Sequence, residues 1–232
     1  MVHVDMKRRW LIGAAGVVLA APALADARRQ TAARKKSAEP VVTATEDLMR
    51  EHGVLERILL IYDASIRRLA GGEDFDPAVF TQTAETMRDF IHDYHEKSEE
   101  EQVFPCFKTA GRMVELVEVL LVQHAAGRQL TERILKAAPA SSGNREQRTA
   151  MVEAMKASLT LYRPHIARED TDIFPTLRSL VTPSEFDAMA EAFEKAESAK
   201  FGGDGFEKMA KRVEQLEKRI GIHDLSQFTP KT

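Results

Sequence analysis

An eleven-residue pattern occurs twice in this chain: His95-Glu96-Lys97-Ser98-Glu99-Glu100-Glu101-Gln102-Val103-Phe104-Pro105 and His165-Ile166-Ala167-Arg168-Glu169-Asp170-Thr171-Asp172-Ile173-Phe174-Pro175. In each copy a histidine stands four residues before a glutamate, which stands five residues before a Phe-Pro step. Side chains at i and i+4 of an α-helix share a face one turn apart, so each copy aims an imidazole and a carboxylate in the same direction. Each copy is therefore half of a metal site. Two such halves, 70 residues apart, close one site when the helices carrying them face each other across a bundle.

The apolar periodicity supports that arrangement. From Thr43, with Thr45 as the expected cap, Leu48, His52, Leu55, Leu59 and Tyr62 recur at spacings of three and four up to Gly71-Gly72. A second helix opens near Pro77 and carries Phe80, Met87, Phe90, Ile91 and His95 towards Phe104-Pro105. A third runs from about Met113 through Leu116, Leu120, His124 and Leu130 to Leu135, before Pro139 and Ser141-Ser142-Gly143. A fourth starts near Asn144 and passes Met151, Met155, Leu159, Tyr162 and Ile166 towards Phe174-Pro175. Four long amphipathic helices joined by short connections imply an all-α, antiparallel up-down four-helix bundle.

Counting residues to each turn tests whether the donors share a level. At 1.5 Å rise per residue, His52 lies about 19 residues before the first turn and His95 about 20 after it, while Glu99 lies about 12 before the second turn and His124 about 13 after it. The fourth helix fits less well. His124 is about 15 residues from Pro139, whereas His165 is about 21 from Asn144, so that helix either projects past its neighbour or starts a turn away from the expected boundary.

Six side chains form the candidate ligand set: His52, His95, Glu99, His124, His165 and Glu169. Glu96 is an additional candidate, because a third carboxylate offsets more of the charge of two cations. Iron and manganese accept imidazole together with carboxylate, while a thiol-poor donor set disfavours clusters and closed zinc sites of the cysteine type. His92 reads as a supporting or exposed residue, and Glu100, Glu101 and Asp170 read as the solvated sides of their helices. His3 and His223 lie too near the ends to contribute, and Tyr62 and Tyr162 fall at core positions. The single cysteine, Cys106, cannot form an internal disulfide and is expected as a buried thiol.

The first 25 residues have the form of an export signal: a basic start, an apolar stretch from Leu11 to Leu24, and Ala23-Leu24-Ala25 before Asp26. Arg8-Arg9-Trp10-Leu11-Ile12 is similar to a twin-arginine signal, the route that carries folded proteins, so the expected location is periplasmic or otherwise exported. The apolar stretch is short for a membrane span, and no stable insertion is expected after cleavage. Residues 26–42 read as a flexible basic linker, 43–180 as the bundle, and 181–232 as a C-terminal helical extension. The last helix carries one apolar stripe, Met209, Val213, Leu216 and Ile220, for packing on the bundle or in a homodimer. The formal charge is −3, and a basic signal makes the remainder more acidic still, which argues against a nucleic-acid partner.

Glu51-His52-Gly53, His95-Glu96-x-x-Glu99 with Val103-Phe104-Pro105, Gln123-His124-Ala125-Ala126-Gly127-Arg128, and Pro164-His165-Ile166-Ala167-Arg168-Glu169-Asp170 with Ile173-Phe174-Pro175 together resemble the bacterial hemerythrin-like (HHE cation-binding) domain over about residues 43–180. The resemblance implies two iron ions, oxo- or hydroxo-bridged, rather than manganese or zinc, held by the six residues above. It also implies a small diatomic ligand or peroxide as partner. One position departs from the oxygen carriers of that family: Arg128 stands where they place a second third-helix histidine, which weighs against reversible dioxygen carriage. The leading expectation is a di-iron protein that binds, senses or scavenges dioxygen, nitric oxide or peroxide, or handles iron. Two alternatives are a di-iron oxidase, peroxidase or nitric-oxide-reducing enzyme, with Tyr62 or Tyr162 near the metals, and a structural bundle stapled by a metal.

Overall fold

The computed structural model describes residues 42–73 and 76–230. The expected export signal, and the basic linker up to residue 41, lie outside the described residues. Among those described, all regular structure is helical.

Helix α1 spans Ala44–Ala70. Its cap is Thr43 rather than Thr45: Thr43 accepts from the Glu46 backbone N–H while the Glu46 carboxylate accepts from the Thr43 N–H. Only Thr43 has a glutamate three residues on, so only it can form this reciprocal pair. The second rod, α2, covers residues 77–110. Its α-helical stretches Pro77–Thr86, Glu96–Ser98 and Phe104–Ala110 alternate with π-helical stretches Met87–His95 and Glu99–Val103. Helix α3 (Val114–Ala137) runs into a 3-10 turn, Ala138–Ala140. The fourth rod, α4, covers 145–177 as Arg145–Arg168, a π-helical stretch Glu169–Ile173 and Phe174–Leu177. Helices α5 (Pro183–Phe201) and α6 (Gly205–Arg219) follow, with a last 3-10 turn at Leu225–Phe228.

The Phe-Pro steps account for two of the π stretches. Proline has no N–H to donate and its ring collides with the carbonyl four residues back, here Glu101 for Pro105 and Thr171 for Pro175. The turn widens instead, and the N–H groups of Phe104 and Phe174 reach five residues back to the carbonyls of Glu99 and Glu169. Each widened turn thus begins at an inward-facing carboxylate. Such single π turns inside α-helices mark functional positions more often than chance.

Helices α1 to α4 pack in a ring, α1 against α4 and the middle of α2, and α3 against α2 and α4. Helix α4 opens after its Asn144 cap, where the sequence places it, and Arg148 in its first turn donates to the carbonyls of Ser141 and Ser142 in the α3–α4 connection. Two apolar clusters fill the bundle. One holds Leu55, Ile58, Phe90, Ile91, Met155 and Tyr162, and the other Leu48, Phe104, Phe107, Leu120, Phe174 and Leu177. Along all four rods the candidate ligands fall between these clusters.

The C-terminal helices lie on the bundle. Val213 and Leu216 of α6, with Ile220 just after it, are buried in the first cluster, and Phe186, Met189 and Phe193 of α5 in the second. Arg57 of α1 grips Glu217 with two hydrogen bonds of 2.9 and 2.7 Å. No described helix is long and apolar enough to cross a membrane. Cys106 is half-buried, and its thiol donates to the Gln102 carbonyl.

Candidate metal centre

The structure brings the six candidate ligands together, all buried. They form two triads, His52–His95–Glu99 and His124–His165–Glu169, and within each triad the donor atoms lie within 4.8 Å of one another. The carboxylates join them. Glu99 Oε1 lies 3.6 Å from His95 Nε2 while its Oε2 lies 3.5 Å from His124 Nε2. Glu169 Oε2 lies 3.0 Å from His165 Nε2 and 3.3 Å from His52 Nε2, and its Oε1 4.0 Å from His124 Nε2.

Each imidazole turns Nε2 inward because its other nitrogen is held from outside. The Nδ1–H groups of His52, His95, His124 and His165 donate to Asp170 (2.8 Å), Glu51 (2.6 Å), Glu100 (2.9 Å) and Gln123 (3.0 Å) respectively. An acceptor on Nδ1 fixes the tautomer and ring orientation and strengthens the inward nitrogen as a ligand. Two phenylalanines close one side, Phe174 stacked on His52 at 5.4 Å and Phe104 on His124 at 5.6 Å between ring centroids. The Phe-Pro step therefore contributes both the widened turn and an apolar lid.

The expectation that Glu100 and Asp170 merely face solvent is corrected by these contacts. Glu101 is the solvated one, with its side chain 61% exposed. Sequence reasoning missed all four outer acceptors, although a signal was present. An acceptor precedes each single histidine (Glu51-His52, Gln123-His124), and a carboxylate follows each candidate glutamate (Glu99-Glu100, Glu169-Asp170).

Glu96 belongs to neither triad, though it groups with Glu100 and His124. It is buried, and its Oε1 accepts from the Tyr162 hydroxyl and His92 Nδ1–H, both at 3.0 Å. Its Oε2 lies 3.1 Å from Arg128 Nη2, which also donates to Glu100 at 2.7 Å. His92 is buried as well, its Nε2 accepting from the Thr131 hydroxyl. Tyr62 is buried in the first apolar cluster.

Gly127 allows the Tyr162 contact, since a Cβ there would stand 1.8 Å from the Tyr162 hydroxyl oxygen and 2.7 Å from its Cζ. Glycine to alanine inside a helix ordinarily stabilises by about 0.5–1 kcal/mol. The collision reverses the sign: Gly127→Ala is expected to destabilise by about 1–3 kcal/mol in urea unfolding. The penalty should shrink when Tyr162→Phe removes the hydroxyl, and equal penalties in both backgrounds would contradict this account.

Charge at the centre is unbalanced without a cation. Burial, followed by the carboxylates of Glu169, Glu96, Glu51 and Glu100, holds Glu99 well above the ordinary carboxylate range. Burial also opposes ionisation of Glu169, but contacts with His165 and His52 outweigh it and hold that group low. For His52, burial disfavours the cation, yet Asp170 and Glu169 overcome it and raise the ring to about 9. Burial and the neighbouring His52 hold His95 well below its usual value. Both oxygens of Glu99, both of Glu169, and the Nε2 atoms of His52 and His124 are buried with no hydrogen-bond partner. Buried polar atoms are nearly always partnered, so six orphans aimed at one region fit a cation-binding role and no ordinary packing role.

Comparison with known proteins finds a family match. A family model described as the hemerythrin HHE cation binding domain matches residues 43–177. The proteins named Uncharacterized protein Rv1995 of Mycobacterium tuberculosis and Uncharacterized protein Mb2018 of Mycobacterium bovis are each 46% identical to this chain over 193 residues, covering 83% of it and 76% of their own length. No solved structure matches it.

Proposed function

The chain belongs to the hemerythrin HHE cation-binding family, and from that premise we propose that it is a non-heme di-iron protein that binds, senses or scavenges dioxygen, nitric oxide or peroxide. The observation that carries this reading is the set of six orphaned inward donor atoms on Glu99, Glu169, His52 and His124. His52, His95 and Glu99 would hold one iron, and His124, His165 and Glu169 the other, with each carboxylate able to reach both. Iron in such a site supplies labile coordination positions and one-electron redox chemistry to a small ligand.

The protein's own groups orient and insulate. Asp170, Glu51, Glu100 and Gln123 fix the four imidazoles. Phe104, Phe174 and the two apolar clusters exclude water and lower the local dielectric, which strengthens every charge interaction inside. Arg128 is committed to Glu96 and Glu100, and Tyr162 to Glu96, so neither is poised as a ligand. This pattern favours binding over turnover. The twin-arginine-like start adds a proposed destination, export of the folded, loaded protein.

Iron analysis of the full chain is expected to give about two per protein, with near-ultraviolet absorption that bleaches on reduction. In stopped-flow mixing of the reduced protein with dioxygen, a lasting adduct would assign binding. Immediate oxidation with turnover of added peroxide or nitric oxide would assign an enzyme instead, and one zinc with no iron a structural staple.

A further inference from the structure

The centre has an approximate internal twofold relation, and among the groups holding the imidazoles one pair differs in kind. His52 corresponds to His124, His95 to His165 and Glu99 to Glu169, and the outer acceptors follow the same exchange. The residue after Glu99 holds His124 and the residue after Glu169 holds His52, in both cases through a carboxylate. The residue before His52 holds His95, and the residue before His124 holds His165. In that last pair the acceptors differ: Glu51 is a carboxylate at 2.6 Å from His95 Nδ1, and Gln123 a neutral amide at 3.0 Å from His165 Nδ1.

We infer that Glu51 and Gln123 make the two cation positions unequal, so that the His52–His95–Glu99 position fills first and holds its cation more tightly. The inference rests on the two-cation reading above. An imidazole donating Nδ1–H to a carboxylate is a stronger donor through Nε2 than one donating to an amide. The placement of carboxyl groups around the centre acts in the same direction. Asp170 and Glu51 back the first position, each within hydrogen-bond distance of its imidazole. Only Glu100 backs the second, and it shares its Oε1 with the Arg128 guanidinium. Glu96, the remaining buried carboxylate nearby, faces that same guanidinium and is also bound by His92 and Tyr162. Glu51 is thus a positioning residue that acts through His95.

Zinc(II), diamagnetic and free of redox change, serves as the probe, titrated into the metal-free full chain carrying 15N-labelled histidine. The first equivalent is expected to shift the imidazoles of His52 and His95, and the second those of His124 and His165. Glu51→Gln keeps the shape and an acceptor oxygen, and is expected to weaken the first step about tenfold so that the two merge. Gln123→Glu is expected to strengthen the second step by a similar factor. The exchanged pair, E51Q with Q123E, should reverse the filling order, which a purely packing role cannot do. If the parent chain takes up fewer than two equivalents, the two-cation reading itself fails. If it takes up two, but their order and separation are unchanged in E51Q and in the exchanged pair, the inference alone is overturned.

Discussion

Replacing His95 and His165 by alanine together is expected to abolish iron uptake, from about two ions per chain to none measurable, while the helical fold persists. Each substitution removes the imidazole that shares a helix with a candidate carboxylate, 3.6 Å from Glu99 and 3.0 Å from Glu169. What remains in each triad is one imidazole and one carboxylate, too few for a buried cation that has lost its hydration shell. The melting temperature gives a second measurement. A ligand present at one hundred to one thousand times its dissociation constant stabilises by about 2.7–4.1 kcal/mol per site, and a chain of this size gains roughly 2–4 °C per kcal/mol. Iron should therefore raise the melting temperature of the parent chain by on the order of 10 °C, and that of the double variant not at all. Unchanged iron content in the double variant would remove these histidines from the site.

The second large effect has opposite signs with and without metal. Glu99 is fully buried, both of its oxygens lack hydrogen-bond partners, and burial beside Glu169 holds it well above the ordinary carboxylate range. An acid whose folded value is raised destabilises the fold at every pH above its unfolded value, increasingly so up to the folded one. The metal-free chain should therefore lose stability through Glu99 as pH rises from about 4.5. Glu99→Leu removes that ionisable group and both orphaned oxygens, and is expected to stabilise the metal-free protein by about 1–3 kcal/mol at neutral pH in denaturant unfolding with chelator present. The same change deletes the carboxylate that spans His95 and His124, so iron uptake should fall to one ion or none. A metal-free variant less stable than the parent would show that Glu99 is retained for packing rather than for a cation.

The opposing signs describe how the centre coexists with the fold. Two carboxylates and four imidazoles occupy a layer where apolar side chains would pack at lower cost, and the aromatic and aliphatic clusters on either side supply the stability that this layer withholds. The widened turns at Glu99 and Glu169 are part of the same compromise, because they give up regular helix geometry where the Phe-Pro steps place aromatic rings over His124 and His52.

Much of this was written in the chain itself. Periodicity gave four rods and their turns, and the repeated His-x-x-x-Glu gave two donor pairs. Counting along the rods brought His52, His95, Glu99 and His124 to one level, and left an apparent offset at His165, which the structure nonetheless places with His124 and Glu169. These features follow from 1.5 Å of rise and one hundred degrees of rotation per residue, so spacing alone determines them. The cap at Thr43 was equally local and readable from Glu46, three residues on.

Contacts between rods were decided only by the tertiary structure. That Glu100 and Asp170 turn to His124 and His52, that Glu51 and Gln123 hold His95 and His165, and that Arg128 spans Glu96 and Glu100 depends on how far each helix is rotated about its axis and where it crosses its neighbour. Those angles come from the packing of large side chains in the two apolar clusters, not from any residue's own spacing. The sequence therefore specified which atoms are available to hold cations, and packing specified which neighbour steadies each one.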